Sequence, residues 1–435
     1  MIIIAALHAN RRLQCWPLLL LAALLGCVDT GPSNDTGWRA EYDTIGDTIV
    51  VRTLSGSVWG DTAVLAADLR IGRLDGPDEY TFGQIRSLAV APDGSIYLYE
   101  AHANELRKYG PDGTFVMTIG RQGGGPGEYR RADAGLAVLP DGRVLLRDPG
   151  NTRINVYSAE GVYQDGWRIR GFWSGLPLHA DTAGNAYPPV LLDPQASVRD
   201  WEIGLVRYSA SGVPGDTIPE PRWDYEIPRM YAGSGNRMAD WGIPFTPRAA
   251  WTFSPLGYRV GGVPASYGFN LYLAPDRVRR IERANWQPVP VVAGEREEQE
   301  SLVTMALRRT EPGWRWNGPP IPDIKPPYKG FFIGQRGRIW VQLHTEARQL
   351  SQEAAGPPES APWMQDFLQR WVETAAFDVF EPDGRYLGRV EAPEPLLMRP
   401  PPIARGDTVW AVVPDPLGVP SVVRFHLEHG AAGPT

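Results

Sequence analysis

The chain has 435 residues, of which 43% are hydrophobic, 21% charged and 10% aromatic. These proportions fit a folded globular protein and exclude a disordered or collagen-like chain. The formal charge is −7, and because the first 26 residues hold Arg11 and Arg12 and no acid, the remainder stands at −9. That balance argues against a nucleic-acid partner, which needs a basic face to neutralise phosphates, and against broad contact with anionic lipid headgroups. The 48 glycines and 42 prolines imply many turns and therefore many short strands.

The chain opens with a targeting segment. Arg11 and Arg12 precede the apolar run Trp16 to Leu25, which has the layout of a signal peptide and is too short to span a bilayer. It ends in Leu24-Leu25-Gly26-Cys27, which resembles the lipobox of bacterial lipoproteins. The resemblance implies cleavage before Cys27 and acylation of its thiol, hence an extracytoplasmic protein of the bacterial cell envelope whose membrane partner is reached through the lipid. Residues 1–26 are thus read as signal peptide. Residues 27–44 are read as the lipidated Cys27 and a flexible tether, since VDTGPSNDTG after it is polar and without periodicity. Cys15 and Cys27 are the only cysteines, so no disulfide supports the body of the chain.

Internal repetition determines the expected fold from residue 45 to residue 430. Leu88-Ala89-Val90 recurs as Leu136-Ala137-Val138, and Pro92-Asp93-Gly94 as Pro140-Asp141-Gly142. Pro111-Asp112-Gly113 falls on Ala159-Glu160-Gly161 at the same spacing. Asp-Gly between apolar runs is a hairpin signal because the turn needs positive φ. Four antiparallel strands in 40–50 residues make a propeller blade. Weaker copies follow around Thr182–Asn185 and Ser209–Gly212, Gly268–Leu273, Gly337–Val341 with Phe380–Leu387, and Asp407–Val412 with Val422–Phe425. The last copy lacks its outer strand. The missing strand is found at the other end, where Leu69-Arg70-Ile71-Gly72-Arg73 and the downstream Tyr80 match Met117-Thr118-Ile119-Gly120-Arg121 and Tyr129. The expected fold is an all-β, six-bladed β-propeller closed by an N-terminal strand. These repeats, with Ile321-Pro322-Asp323-Ile324-Lys325-Pro326 leading into Gly337-Arg338-Ile339-Trp340-Val341, resemble NHL-type propellers and a group of bacterial six-bladed propeller lipoproteins.

Insertions are expected at 219–250, 291–327 and 347–376. The second begins with a helical pattern, with Glu295, Glu297, Glu298 and Glu300 early, Arg308 and Arg309 late, and Leu302, Met305 and Ala306 on one face. The third carries a second helix candidate, Pro362 to Thr374, with Trp363, Phe367 and Trp371 at i, i+4 and i+8. Two short helical insertions are therefore expected.

Chemistry-bearing motifs are scarce. Gly123-Gly124-Gly125-Pro126-Gly127 lacks a following Gly-Lys-Ser/Thr and reads as a turn between blades. There is no His-Glu-x-x-His, cysteine pair or Gly-x-Ser-x-Gly. No cofactor is predicted, although calcium or another divalent metal held by carboxylates from separate blades stays open. Equivalent positions of the first two blades place Glu100, His102 and Asn104 beside Asp148, Asn151 and Arg153. These are candidate ligand-face residues at one rim, with turn capping as the preferred local alternative. Trp223, Trp241, Trp314, Trp316, Trp363 and Trp371 cluster in the insertions as candidate partner-binding aromatics. The functional expectation is a non-catalytic module for a protein, peptide or glycan partner. The alternative is a metal-dependent, lactonase-like propeller hydrolase or lyase.

Overall fold

The computed structural model describes residues 37–170, 172–196, 201–351, 356, 364 and 367–429. Residues 1–26, where a signal peptide is expected, Cys27 and Trp363 lie outside the described residues. The described part is all-β and propeller-like, apart from one α-helix, Ala293–Arg308, and two 3-10 turns.

Four-stranded antiparallel meanders follow one another along the chain. The first comprises Ile85–Val90, Ile96–Glu100, Glu105–Tyr109 and Phe115–Ile119. The second runs from Leu136–Val138 to Tyr163–Arg168. The Asp-Gly turns form as the sequence requires. Gly94 has φ +88° and Gly142 φ +87°, while Asp93 and Asp141 accept the N–H groups of Ser95 and Arg143 at 2.9 and 3.1 Å. The third meander spans His179 to Pro219 and is interrupted at Pro188, so that Ala186–Tyr187 and Pro189–Leu191 both pair with Ile203–Tyr208. The fourth runs from Ala250–Phe253 to Arg277–Arg283, the fifth from Tyr328–Ile333 to Tyr386–Glu391, and the last begins at Ile403–Arg405.

The last meander takes its outer strand from the N-terminal part of the chain, as the sequence match implied. Ala63–Ile71 pairs antiparallel with Pro420–His429, with Leu65 opposite Leu427, Ala67 opposite Phe425 and Ile71 opposite Val422. Its first residues also pair in parallel with Val390 and Glu391 of the fifth meander. Upstream, a hairpin of Arg39–Ile45 and Thr48–Ser55 adds to the fourth meander, Thr48–Ser55 lying parallel to Arg277–Arg283. The flexible tether expected through residue 44 therefore does not extend past residue 38. The alternating polar and β-branched residues of Thr48–Ser55 find an open sheet edge to pair with. Val58 and Trp59 then donate backbone hydrogen bonds to Tyr386 and Leu387. The N-terminal segment thus straps three successive meanders together.

Apolar clusters fill each gap between neighbouring meanders. Tyr99 and Leu106 meet Leu136 and Leu146; Leu145 and Ile154 meet Leu178 and Tyr208; Tyr187 and Leu205 meet Phe253. Phe269 meets Tyr328 and Phe380, and Trp340 and Phe377 meet Val409 and Phe425. Ile71, Trp410 and Val422 meet Leu88, Leu98 and Tyr109, which brings the last meander against the first. Each buried Val, Leu or Phe contributes roughly 1.5–3 kcal/mol, so these seams carry most of the stability.

In an antiparallel meander the start of the first strand and the end of the second share one end. The three insertions enter at such positions and rise from the same end as Glu100 and Asp148. Two of them meet over the fourth and fifth meanders: Met230 and Ile243 of the hairpin Arg229–Ser234/Arg237–Gly242 pack on Val303, Leu307, Trp314 and Ile321. Leu302 and Ala306 of the helix pack on Met364 and Phe367 of the third. The second expected helix is a correction. Within Pro362 to Thr374, Trp371–Glu373 is a strand paired with Ala347–Gln349. The Glu298 carboxylate accepts the N–H groups of Arg370 and Trp371 at 2.6 and 3.1 Å, which withholds them from a helical ladder. The aromatic spacing serves packing instead: a Cβ on Gly294 would sit 2.4 Å from the Trp371 ring.

Candidate ligand face

At the insertion-bearing end, the residues that the repeat singled out act on the backbone. Glu100 is buried and accepts the N–H groups of Gly83 and Gln84 at 3.1 and 2.7 Å, and that of Ala103. Asp148 is buried and accepts those of Arg130 and Arg131, both at 3.1 Å. Asn104 adopts φ +56° and accepts from the Tyr99 hydroxyl. Asn151 donates to Asp148 and Gly123, and Arg153 to the carbonyls of Gly125 and Glu128, which fixes the glycine-rich turn. His102 is exposed beside Gly83. The structure thus places Glu100, Asp148, Asn104, Asn151 and Arg153 in turn and loop bonding rather than open to a ligand.

The described insertion tryptophans take part in packing and backbone hydrogen bonds. Trp314 is 1% exposed and donates to Tyr231 O at 2.9 Å. Trp316 donates to Gly318 O and Pro319 O, and Trp241 packs in the same cluster. Trp223 is partly buried against Tyr272, and Trp371 lies against Gly294.

Two features that sequence reasoning missed define the face. The first is a fully buried ion pair. Asp133 and Arg147 side chains are both 0% exposed and in contact. Together they grip one loop. Arg147 donates to Phe172 O at 2.6 Å and to Ser174 Oγ at 3.2 Å, and Asp133 accepts the Ser174 N–H at 3.2 Å. Burial pushes the Asp133 carboxyl up despite the Arg147 charge, and pushes the guanidinium down. The residue held between these bonds, Trp173, is 47% exposed. Arg86 of the first meander lies 5.3 Å from its ring centroid and Arg131 lies 5.4 Å from it. Trp201, 40% exposed, extends the surface through an edge contact with Phe172 at 6.2 Å.

The second feature is a charged knot beneath the cap. Lys325 is 1% exposed, and its ammonium donates to Glu295 Oε1 at 2.7 Å, Glu373 Oε1 at 2.9 Å and Thr345 O at 2.9 Å. Lys329 adds an ion pair to Glu373 at 2.7 Å, and His344 Nδ1 lies 2.9 Å from the same carboxylate. Burial alone would raise Glu373; the His344 hydrogen bond and the Lys329 and Lys325 charges outweigh it and hold it well below the carboxylate range. Burial raises Glu295, offset only in part by Lys325. Burial lowers the His344 imidazole, opposed in part by Glu373.

His179 behaves alike, pushed down from 6.5 to about 4 by its packed surroundings. A lowered folded pKa means that the unfolded chain binds protons first. Both histidines therefore contribute stability that is complete above about pH 6.5 and is lost as the pH falls toward their folded values. The expected result is a melting temperature that declines from about pH 7.5 to about pH 5, above the carboxylate range, and that flattens in the His179→Gln/His344→Gln double variant. An equal slope in that variant would contradict the assignment.

Among the described residues, no group of three or more His, Cys, Asp or Glu side chains is placed to hold a metal ion. No protein-family model and no curated protein matches the sequence. Among solved structures, the chain is similar to a DUF4221 family member from Bacteroides vulgatus, at 10% identity and TM-score 0.47, covering 85% of this chain and 99% of that one. It is also similar to a putative exported protein from Bacteroides fragilis, at 9% identity and TM-score 0.44, covering 88% and 100%. A third likeness, to a streptogramin B lyase, has 10% identity and TM-score 0.38, covering 84% and 98%.

Proposed function

We propose that the chain is an extracytoplasmic binding module: a closed six-bladed propeller, lipid-anchored through Cys27, that presents the insertion-bearing face to a ligand. The observation that carries this reading is Trp173. A buried ion pair is a costly device, and this one fixes a loop whose central indole is 47% exposed. A rigid, exposed aromatic beside arginines is the residue pattern of a recognition hot spot. Among the described residues, the insertions pack on one another through Met230, Ile243, Val303 and Leu307, and through Leu302 and Met364.

The test is binding to immobilised oligosaccharides and peptides by the full chain and by Trp173→Ala, with cooperative unfolding of the variant as the folding control. Signals lost in the variant support the module. Signals that are absent, or equal in both proteins, refute it. Lipid attachment is read separately, as acyl label that disappears in Cys27→Ser.

One arrangement favours a second reading, a hydrolase or lyase. Glu373 holds His344 Nδ1, and Nε2 has no hydrogen bond among the described residues, so a neutral imidazole stands ready as a general base. The metal-dependent form of that reading lacks its ligand set among the described residues. The catalytic reading requires a turnover that His344→Gln removes and Trp173→Ala does not.

A further inference from the structure

We infer that the Trp173 site binds a carboxylate-bearing glycan, an inference that rests on the binding-module reading and names its ligand class. The chain is acidic overall, yet Arg86 and Arg131 form no ion pair with a carboxylate among the described residues. Arg86 donates to Gln84 Oε1, and both guanidiniums lie against the Trp173 ring. The carboxylates of Asp133, Glu100 and Asp148 are already satisfied. Asp133 is occupied by Arg147, Gly135 N and Ser174 N; Glu100 and Asp148 are occupied by loop N–H groups. Two guanidiniums without a bonded counter-charge therefore flank the indole, and their planar donor forks match a carboxylate.

The backbone at the base of both forks is held in place. Glu100 ties the Gly83–Gln84 segment next to Arg86, and Asp148 ties the backbone of Arg131 itself. Placement of Trp173 follows from the Arg147 and Asp133 bonds on either side of it. Little ordering remains to be done when a ligand arrives.

The choice of glycan over peptide follows from the backbone. A peptide that binds by strand addition is recognised through main-chain hydrogen bonds. Here the N–H groups of Gly83, Gln84, Arg130, Arg131 and Ser174 are all taken by buried carboxylates. What the site offers is side chains: a half-exposed indole whose ring carries two cationic forks, and the exposed Trp201 for the apolar face of a pyranose.

The experiment is calorimetric titration of the full chain with a galacturonate oligosaccharide, with its methyl ester, and with poly-L-glutamate. The acid oligosaccharide is expected to bind. The methyl ester, Trp173→Ala and Arg131→Ala are each expected to weaken binding at least tenfold, with both variants still unfolding cooperatively. Equal binding of the ester, or full affinity in the Trp173 variant, overturns the inference. Tighter Trp173-dependent binding of poly-L-glutamate also overturns it but leaves the module reading intact, with an acidic peptide as ligand. If neither anionic polymer binds, the glycan assignment falls. The module reading then stands or falls on whether the wider panel shows any Trp173-dependent signal.

Discussion

Asp133→Ala is expected to lower the free energy of unfolding by about 3–5 kcal/mol, the range for removing one partner of a buried ion pair. The loss is large because Arg147 has nowhere to go. Its side chain is 0% exposed, and its Nε is already buried without a partner. Without the carboxylate, the guanidinium keeps only Phe172 O and Ser174 Oγ as acceptors, and the Ser174 and Gly135 N–H groups lose theirs. The double variant Asp133→Leu/Arg147→Met removes both charges and should recover most of the stability, while still releasing the Trp173 loop. Denaturant unfolding gives the first result and oligosaccharide titration the second. A single-variant loss below about 1 kcal/mol, the range of exposed pairs, would mean that the pair is hydrated and does not clamp the loop.

A chain that begins at Arg73 is expected to lose cooperative unfolding and to aggregate. Its last meander would keep three strands, with the long Pro420–His429 strand exposed as an unpaired edge. Ala63 and Leu65, both 0% exposed, would leave the seam that they share with Trp340, Phe377 and Phe425. The fifth meander would lose the backbone bonds from Val58 and Trp59, and the fourth would lose the parallel strand Thr48–Ser55. Because the fourth, fifth and last meanders all suffer together, the expected change is collapse rather than a small shift. Adding residues 37–72 as a separate peptide should restore a cooperative transition in circular dichroism. A truncated chain that melts cooperatively on its own would show that closure is dispensable.

Much of this fold is legible in the sequence because repetition multiplies weak local signals. Pro92-Asp93-Gly94 and Pro140-Asp141-Gly142 each specify a hairpin by themselves, and their common spacing specifies a stack of them. Closure is legible for the same reason: Ile71-Gly72-Arg73 repeats the outer-strand ending Ile119-Gly120-Arg121. Features that do not repeat are hidden. The hairpin Arg39–Ile45/Thr48–Ser55 has no counterpart elsewhere in the chain, and its partner strand lies more than two hundred residues away. Lys325 draws its partners Glu295 and Glu373 from separate insertions, and no spacing rule connects them. The second expected helix does not form because aromatics at i, i+4 and i+8 describe a face but not the hydrogen bonds, and Glu298 claims the N–H groups concerned.

The candidate site was half visible. Glu100 and Asp148 stood out as equivalent acids at a rim, and they do shape that rim, by holding the loops that carry or flank Arg86 and Arg131. Trp173 gave no signal because its significance lies in Asp133 and Arg147, which reach it across a loop. The six insertion tryptophans stand out by number, but Trp241, Trp314 and Trp316 build the small core that the first two insertions share.

Placement of the proposed ligand face depends on the circle of meanders being sewn shut by Ala63–Ile71. Hydrogen–deuterium exchange of that strand tests this most directly. The amides of Ala63–Ile71 that point toward Pro420–His429 should exchange as slowly as the bonded amides of that strand, by global unfolding. Rapid exchange of Ala63–Ile71 beside a protected Pro420–His429 would contradict the closed ring and the site built upon it.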